Sequence, residues 1–178
     1  MRVLLVSTCK EKLHEKEFVG PYVNYLGDDA SVVYYAKLRK ADIEQADRII
    51  ICGTGLADNG YLEHLENFEW LRDVQKPVVG VCSGAQIVAC VFGGKIIPDK
   101  LIGMVEVVGD FFGRQRFEAY VLHQNGFTVP RDFDVLARSG ASVQAMKHKT
   151  KHIYGVAFHP EVRNTWVMEK FLEAENKV

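Results

Sequence analysis

A chain of 178 residues, 48% hydrophobic and 25% charged, carries enough apolar side chain for a full core, so a disordered tail and a disulfide-stapled miniprotein are excluded and a single domain over residues 1–178 is expected. A formal net charge of −1 offers no overall field for nucleic acid or a membrane surface, and neither is expected as a partner. Four cysteines without C-x-x-C spacing suit a reducing compartment, the segment Met1 to Ser7 is too short in its apolar part for a signal peptide, and no apolar run reaches membrane-spanning length, so a cytoplasmic location is expected.

Val3 to Val6 reads as a buried strand that starts at once. Leu13 to Leu26 carries Phe18, Tyr22 and Leu26 at near-helical spacing, interrupted by Gly20-Pro21. Ser31 to Leu38 is rich in β-branched and aromatic residues and reads as a strand, and Ala41 to Ala46 as one helical turn. The apolar run Asp47 to Cys52 ends in Gly53-Thr54-Gly55, after which Leu62, Leu65, Phe68 and Leu71 predict a helix over Tyr61 to Val74.

The next segment holds the chemistry. Lys76-Pro77 opens a short strand-length run, and small residues of helical length follow it until Gly93-Gly94. The change of period falls on Cys82. Gly80-Val81-Cys82-Ser83-Gly84 has the spacing of a G-x-S-x-G nucleophile elbow with sulfur in place of oxygen. Such an elbow lifts the nucleophile to a helix N-terminus, where unpaired N–H groups favour thiolate over thiol. Cys52 and Cys90 read as small core residues.

From Lys95 the chain turns β-rich. Val105 to Gly109, Gln115 to Leu122, Phe133 to Arg138, Val143 to Lys147 and Ile153 to Phe158 read as strands, and Asn164 to Asn176 as a closing helix. Alternation of strand and helix in the first half predicts an α/β fold: a doubly wound, mostly parallel sheet flanked by helices, with an additional small antiparallel β portion.

A thiolate nucleophile needs a base, and the base needs an orienting acid. His159 and Glu161 lie two apart after an apolar strand, so in extended backbone Glu161 reaches one imidazole nitrogen while the other faces the sulfur. Ser83, directly after the nucleophile, and Gly53 in the glycine-bearing loop are the expected N–H donors to an oxyanion.

These residues resemble a known family. Gly80-x-Cys82-x-Gly84-x-Gln86 with His159-Pro160-Glu161 looks like the class I, triad-type glutamine amidotransferase domain, whose sheet is flavodoxin-like. Phe92-Gly93-Gly94-Lys95, Leu136 to Ser139, Ala145 to His148 and Ile153 to Val162 look most like the free-standing glutaminase subunit of GMP synthetase. Gln124-Asn125-Gly126-Phe127 resembles the glutamine-holding segment of carbamoyl phosphate synthetase.

The resemblance implies a glutaminase in which Cys82 attacks the carboxamide of L-glutamine, His159 protonates the departing ammonia and Glu161 orients His159. It further implies that Gly53 and Ser83 hold the oxyanion and that Gly55, Gln86, Gln124, Gly126 and Phe127 contact the substrate's amino acid end. Neither metal nor organic cofactor is implied, and the ammonia goes to a separate synthetase. A stand-alone γ-glutamyl amide or peptide hydrolase, and a regulatory or binding protein on the same fold, are the alternatives. His148 and His152 read as part of a solvated hairpin turn, His14 and His64 as surface helix residues, and Asp58, Asn59, Arg114 and Arg116 as candidates for the mouth of the site.

Overall fold

The structure, a computed structural model, describes residues 1–174. Short apolar, β-branched runs form β1, β3, β4 and β9, the strands at the middle of the sheet. In chain order the elements are β1 (Val3–Ser7), α1 (Lys12–Phe18), α2 (Gly20–Leu26), β2 (Ala30–Tyr34), α3 (Lys40–Gln45), β3 (Arg48–Ile51), β4 (Val78–Val81) and α4 (Ser83–Val91). Then come β5 (Ile96–Phe111), β6 (Arg114–Phe127), β7 (Phe133–Ser139), β8 (Ser142–His148), β9 (Ile153–Val156) and α5 (Thr165–Glu173). Residues 175 and 176 of the expected last helix lie outside the described residues.

One nine-stranded sheet runs β2-β1-β3-β4-β9-β8-β7-β5-β6. From β2 to β9 the pairs are parallel, in the order of a flavodoxin-like sheet. From β9 to β6 they are antiparallel. The α/β class read from the sequence is thus the class observed, and its antiparallel part contributes four strands, including the two longest. No helix among the described residues is long and apolar enough to cross a membrane.

Strand residues alternate between two apolar layers, as a sheet covered on both faces requires. Leu5, Ile50 and Val79 face a layer with Phe18, Tyr22 and Phe171, while Leu4, Ile49 and Val78 face a layer with Tyr61, Phe68 and Ile87. Two expectations change in detail. The strand over 31–38 stops at Tyr34 and continues as a short 3₁₀ turn, and the helix expected over 61–74 is a 3₁₀ run, Gly60–Arg72, kinked at His64. Leu62, Leu65, Phe68 and Leu71 are each three apart, which is the period of a 3₁₀ helix and slips around an α-helix.

The antiparallel half also reaches back to the parallel half. The backbone N–H of His159 donates to the Tyr120 carbonyl on β6 at 2.8 Å, and Asn164 Nδ2 donates to the Glu118 carbonyl at 3.1 Å. These bonds cover part of the β6 edge with the loop that leaves β9. The carboxyl ends of β1, β3, β4 and β9 meet in this region.

Candidate active site

Cys82 stands between β4 and α4 with φ 51° and ψ −104°, a conformation that L-residues rarely hold. The elbow exists because its glycines admit backbone where a side chain would not fit. A Cβ on Gly80 would meet the Gly84 carbonyl oxygen at 2.3 Å, and one on Gly84 would meet the Ile51 carbonyl oxygen at 2.2 Å. The Cys82 N–H donates to Val156 O at 2.8 Å, which ties the bend to β9. The Cys82 thiol points to the Leu122 carbonyl on β6, 3.6 Å away.

His159 and Glu161 follow β9 and are both buried, their side chains 1% and 2% exposed. Imidazole Nδ1 lies 2.7 Å from Glu161 Oε1. Nε2 is buried without a hydrogen bond of ordinary geometry, because the thiol is turned to Leu122, yet the sulfur is near enough to act on the ring electrostatically. Burial disfavours the imidazolium. The negative charge of Cys82 and Glu161 outweighs burial and holds the His159 pKa well above its ordinary value. The structure therefore brings Cys82, His159 and Glu161 together.

The residues expected around the oxyanion also converge. Ser83 opens α4, where the first N–H groups have no intrahelical acceptor. Its hydroxyl donates to Cys52 O at 3.2 Å and lies 3.0 Å from Thr8 Oγ1, joining the ends of β1, β3 and β4. Gly53 sits against the pair: a Cβ there would lie 3.0 Å from His159 Cε1 and 3.5 Å from Cys82 Cβ.

A narrow cleft with about 20 Å³ of free volume opens beside the sulfur, walled by Thr54, Gly55, Asp58, Asn59, Tyr61, Gln86 and the 122–125 segment. Of the residues expected to touch substrate, Gly55, Gln86 and Gln124 line it, whereas Gly126 and Phe127 do not. These two lie deeper along β6. Phe127 packs among core residues of the second layer, and Gly126 backs onto Asp99. The Gln86 amide is engaged at both ends, donating to Asn125 O at 2.8 Å and accepting from Tyr61 Oη at 2.6 Å, so it braces the wall.

Asp58 and Asn59 reach the mouth as expected, but Arg114 stacks on Trp166 and Arg116 pairs with Glu106, both elsewhere. His14 lies on a helix and is half-buried. Its ring covers Gly55, about 2.8 Å from where a Cβ would stand. His148 is buried, and its Nδ1 accepts from the Thr150 and Lys151 N–H groups inside the turn. Burial pushes the thiols of Cys9, Cys52 and Cys90 up, away from the reactive thiolate form.

Sequence reasoning missed the place of Tyr22 and Tyr61 beside the site, and it put His123 next to the substrate-binding strand end without giving it a role. Tyr22 Oη donates to Glu161 Oε2 at 2.8 Å across 139 positions, which no local spacing announces. His123 lines the cleft. Burial lowers its pKa, and Asp99 Oδ2 lies 3.7 Å from its Nε2.

A family model for glutamine amidotransferase class-I matches residues 19–176. The glutamine-hydrolyzing GMP synthase subunit of Methanosphaera stadtmanae is 32% identical over 149 residues, covering 77% of this chain and 78% of the relative. The protein of the same name from Methanothrix thermoacetophila is 37% identical over 119 residues, 59% of this chain and 66% of its own length, just under two thirds. A crystal structure assigned as a GMP synthase subunit protein of Thermoplasma acidophilum superposes with a TM-score of 0.83 at 24% identity, covering 97% of this chain and 92% of the other. That of a glutamine amidotransferase from Thermotoga maritima gives 0.72 at 17% identity, with 97% and 81% covered. At such identities the two structures speak for the shared fold. With its family model spanning most of the residues, the chain belongs to the class-I glutamine amidotransferase family.

Proposed function

We propose that this protein hydrolyses the side-chain amide of L-glutamine through Cys82, His159 and Glu161 and passes the ammonia to a separate synthetase of the GMP synthetase kind. One observation carries the reading: a strained cysteine at a helix N-terminus, coupled to an imidazole whose other nitrogen meets a buried carboxylate at 2.7 Å. The relatives' name, glutamine-hydrolyzing GMP synthase, supports the choice of acceptor.

In this reading the Cys82 sulfur attacks the amide carbon, and the N–H groups of Gly53 and Ser83 stabilise the resulting oxyanion. The His159 imidazolium gives its proton to the leaving nitrogen, the C–N bond breaks, and ammonia departs from a γ-glutamyl thioester. Water enters and loses a proton to His159. Its oxygen attacks the thioester carbonyl, and glutamate leaves with sulfur restored. Glu161 keeps the ring's Nδ1 occupied throughout, so Nε2 handles every transfer.

Ammonia release from glutamine, measured with and without a candidate synthetase, tests both parts of the reading. Cys82→Ala should lower turnover by roughly four orders of magnitude or more while the far-UV spectrum is unchanged. Full turnover by this variant would sink the assignment. A γ-glutamyl peptidase would instead prefer peptide substrates, and a binding protein would hold glutamine without releasing ammonia.

A further inference from the structure

We propose that Tyr22 is a positioning residue of this site, holding the Glu161 carboxylate in the one orientation that presents Oε1 to His159. The inference rests on the triad reading above. Tyr22 is 1% exposed, and its hydroxyl donates to Glu161 Oε2 at 2.8 Å while Oε1 lies 2.7 Å from His159 Nδ1. Each oxygen of a buried carboxylate thus has its own donor, and rotation about the last side-chain bond would break both contacts together.

The same helical pair meets the imidazole. Phe18 at the end of α1 packs its ring 5.4 Å from that of His159, while Tyr22 near the start of α2 reaches the acid. The break at Gly20-Pro21 makes this arrangement, because it ends one helix and begins another so that both aromatic side chains turn toward the loop after β9. Burial raises the Tyr22 pKa well above its ordinary value, and the charge of Glu161 adds to this, so the hydroxyl keeps its proton and remains a donor. A hydrogen bond to the carboxylate also draws off part of its charge, which moderates how strongly Glu161 stabilises the imidazolium.

Tyr22→Phe removes the hydroxyl and keeps the ring. The titratable groups facing the His159–Glu161 pair include Cys82, Cys52, Tyr22, His123 and Tyr120, and the variant changes one of them. Turnover of glutamine should fall about tenfold in kcat with KM unchanged, as for loss of one hydrogen bond to a charged group. The alkaline limb of the kcat/KM profile should move up, because the undivided charge of Glu161 holds the imidazolium proton more firmly. Independently of turnover, the low-field proton resonance of His159 Nδ1–H should shift.

The inference is overturned when kcat, pH profile and resonance all match the unmodified protein, or when a loss of activity only follows a loss of folded protein in thermal melts. Should the unmodified protein release no ammonia from glutamine, the triad reading fails. The resonance in Tyr22→Phe still decides whether Tyr22 holds Glu161.

Discussion

At the scale of single residues, the proposed chemistry depends on two unfavourable placements held by their surroundings. Cys82 keeps a positive φ that costs on the order of 1–3 kcal/mol, and the proposed chemistry asks His159 to carry a charge in a place 1% exposed. The second has a measurable sign. Burial favours the neutral ring, but Cys82 and Glu161 together raise the His159 pKa, so the imidazolium survives to a higher pH than in an isolated histidine. Stability linked to this proton is therefore complete below the ordinary value of about 6.5 and is lost as pH rises through the folded-state value. Glu161→Gln removes one of the two stabilising charges. Its alkaline limb of kcat/KM should move down, and its loss of kcat should be smaller than that of His159→Ala, because an orienting group contributes less than the base it holds. Equal losses, or a limb that moves up, would contradict these roles. The meeting of Cys82, His159 and Glu161 in space was legible because local chemistry announces it: an elbow spacing and a His-x-Glu at a strand end. Tyr22 was not, since its meaning lies in a contact 139 positions away.

At the scale of elements, the elbow depends on how closely three strand ends approach one another. A methyl group on Gly84 would collide with the Ile51 carbonyl at 2.2 Å, and backbone, unlike a flexible side chain, has little room to yield. Overpacking of this kind costs about 1–3 kcal/mol or more. Gly84→Ala should therefore lower the melting temperature by roughly 2–12 °C, at about 2–4 °C per kcal/mol for a chain of this size, and reduce turnover beyond the loss of folded protein. A variant as stable and active as the unmodified protein would show that α4 can shift away from β3 freely. The reading of elements from sequence succeeded where period and length agree, as in β1, β3, β4 and α4. At 60–72 a repeat of three gives a 3₁₀ run in place of an α-helix. Along β6 the resemblance marks residues in two different surroundings. Leu122 to Asn125 do reach the cleft, but Phe127 belongs to the core.

At the scale of the whole molecule, the parallel order followed from strand and helix alternation, whereas the path of the antiparallel half did not, because its partners are chosen by long-range packing. That half binds the two apolar layers to each other. Along β6, Phe117 packs in the layer with Phe111 and Phe158, while Phe127 packs in the opposite layer with Phe133 and Met146. β8 does the same with neighbouring residues, Ala145 on one side and Met146 on the other. Loss of either layer would then leave the shared strands with one face bare, so the described residues, 1–174, should unfold as one cooperative unit, as expected of a single domain. The two tryptophans stand in different layers and can report on this. Trp70 packs against the layer holding Phe68 and Leu71, and Trp166 lies 5.1 Å from Phe117, ring to ring, in the other. In Trp70→Phe the remaining fluorescence follows Trp166, and in Trp166→Phe it follows Trp70. Within each variant the urea midpoints of fluorescence, far-UV dichroism and glutamine hydrolysis should coincide, since Cys82 and His159 hang on strands covered by both layers. A tryptophan transition clearly separate from the loss of far-UV signal in the same variant would mean that the two layers melt independently, and that the chain is two units sharing one sheet.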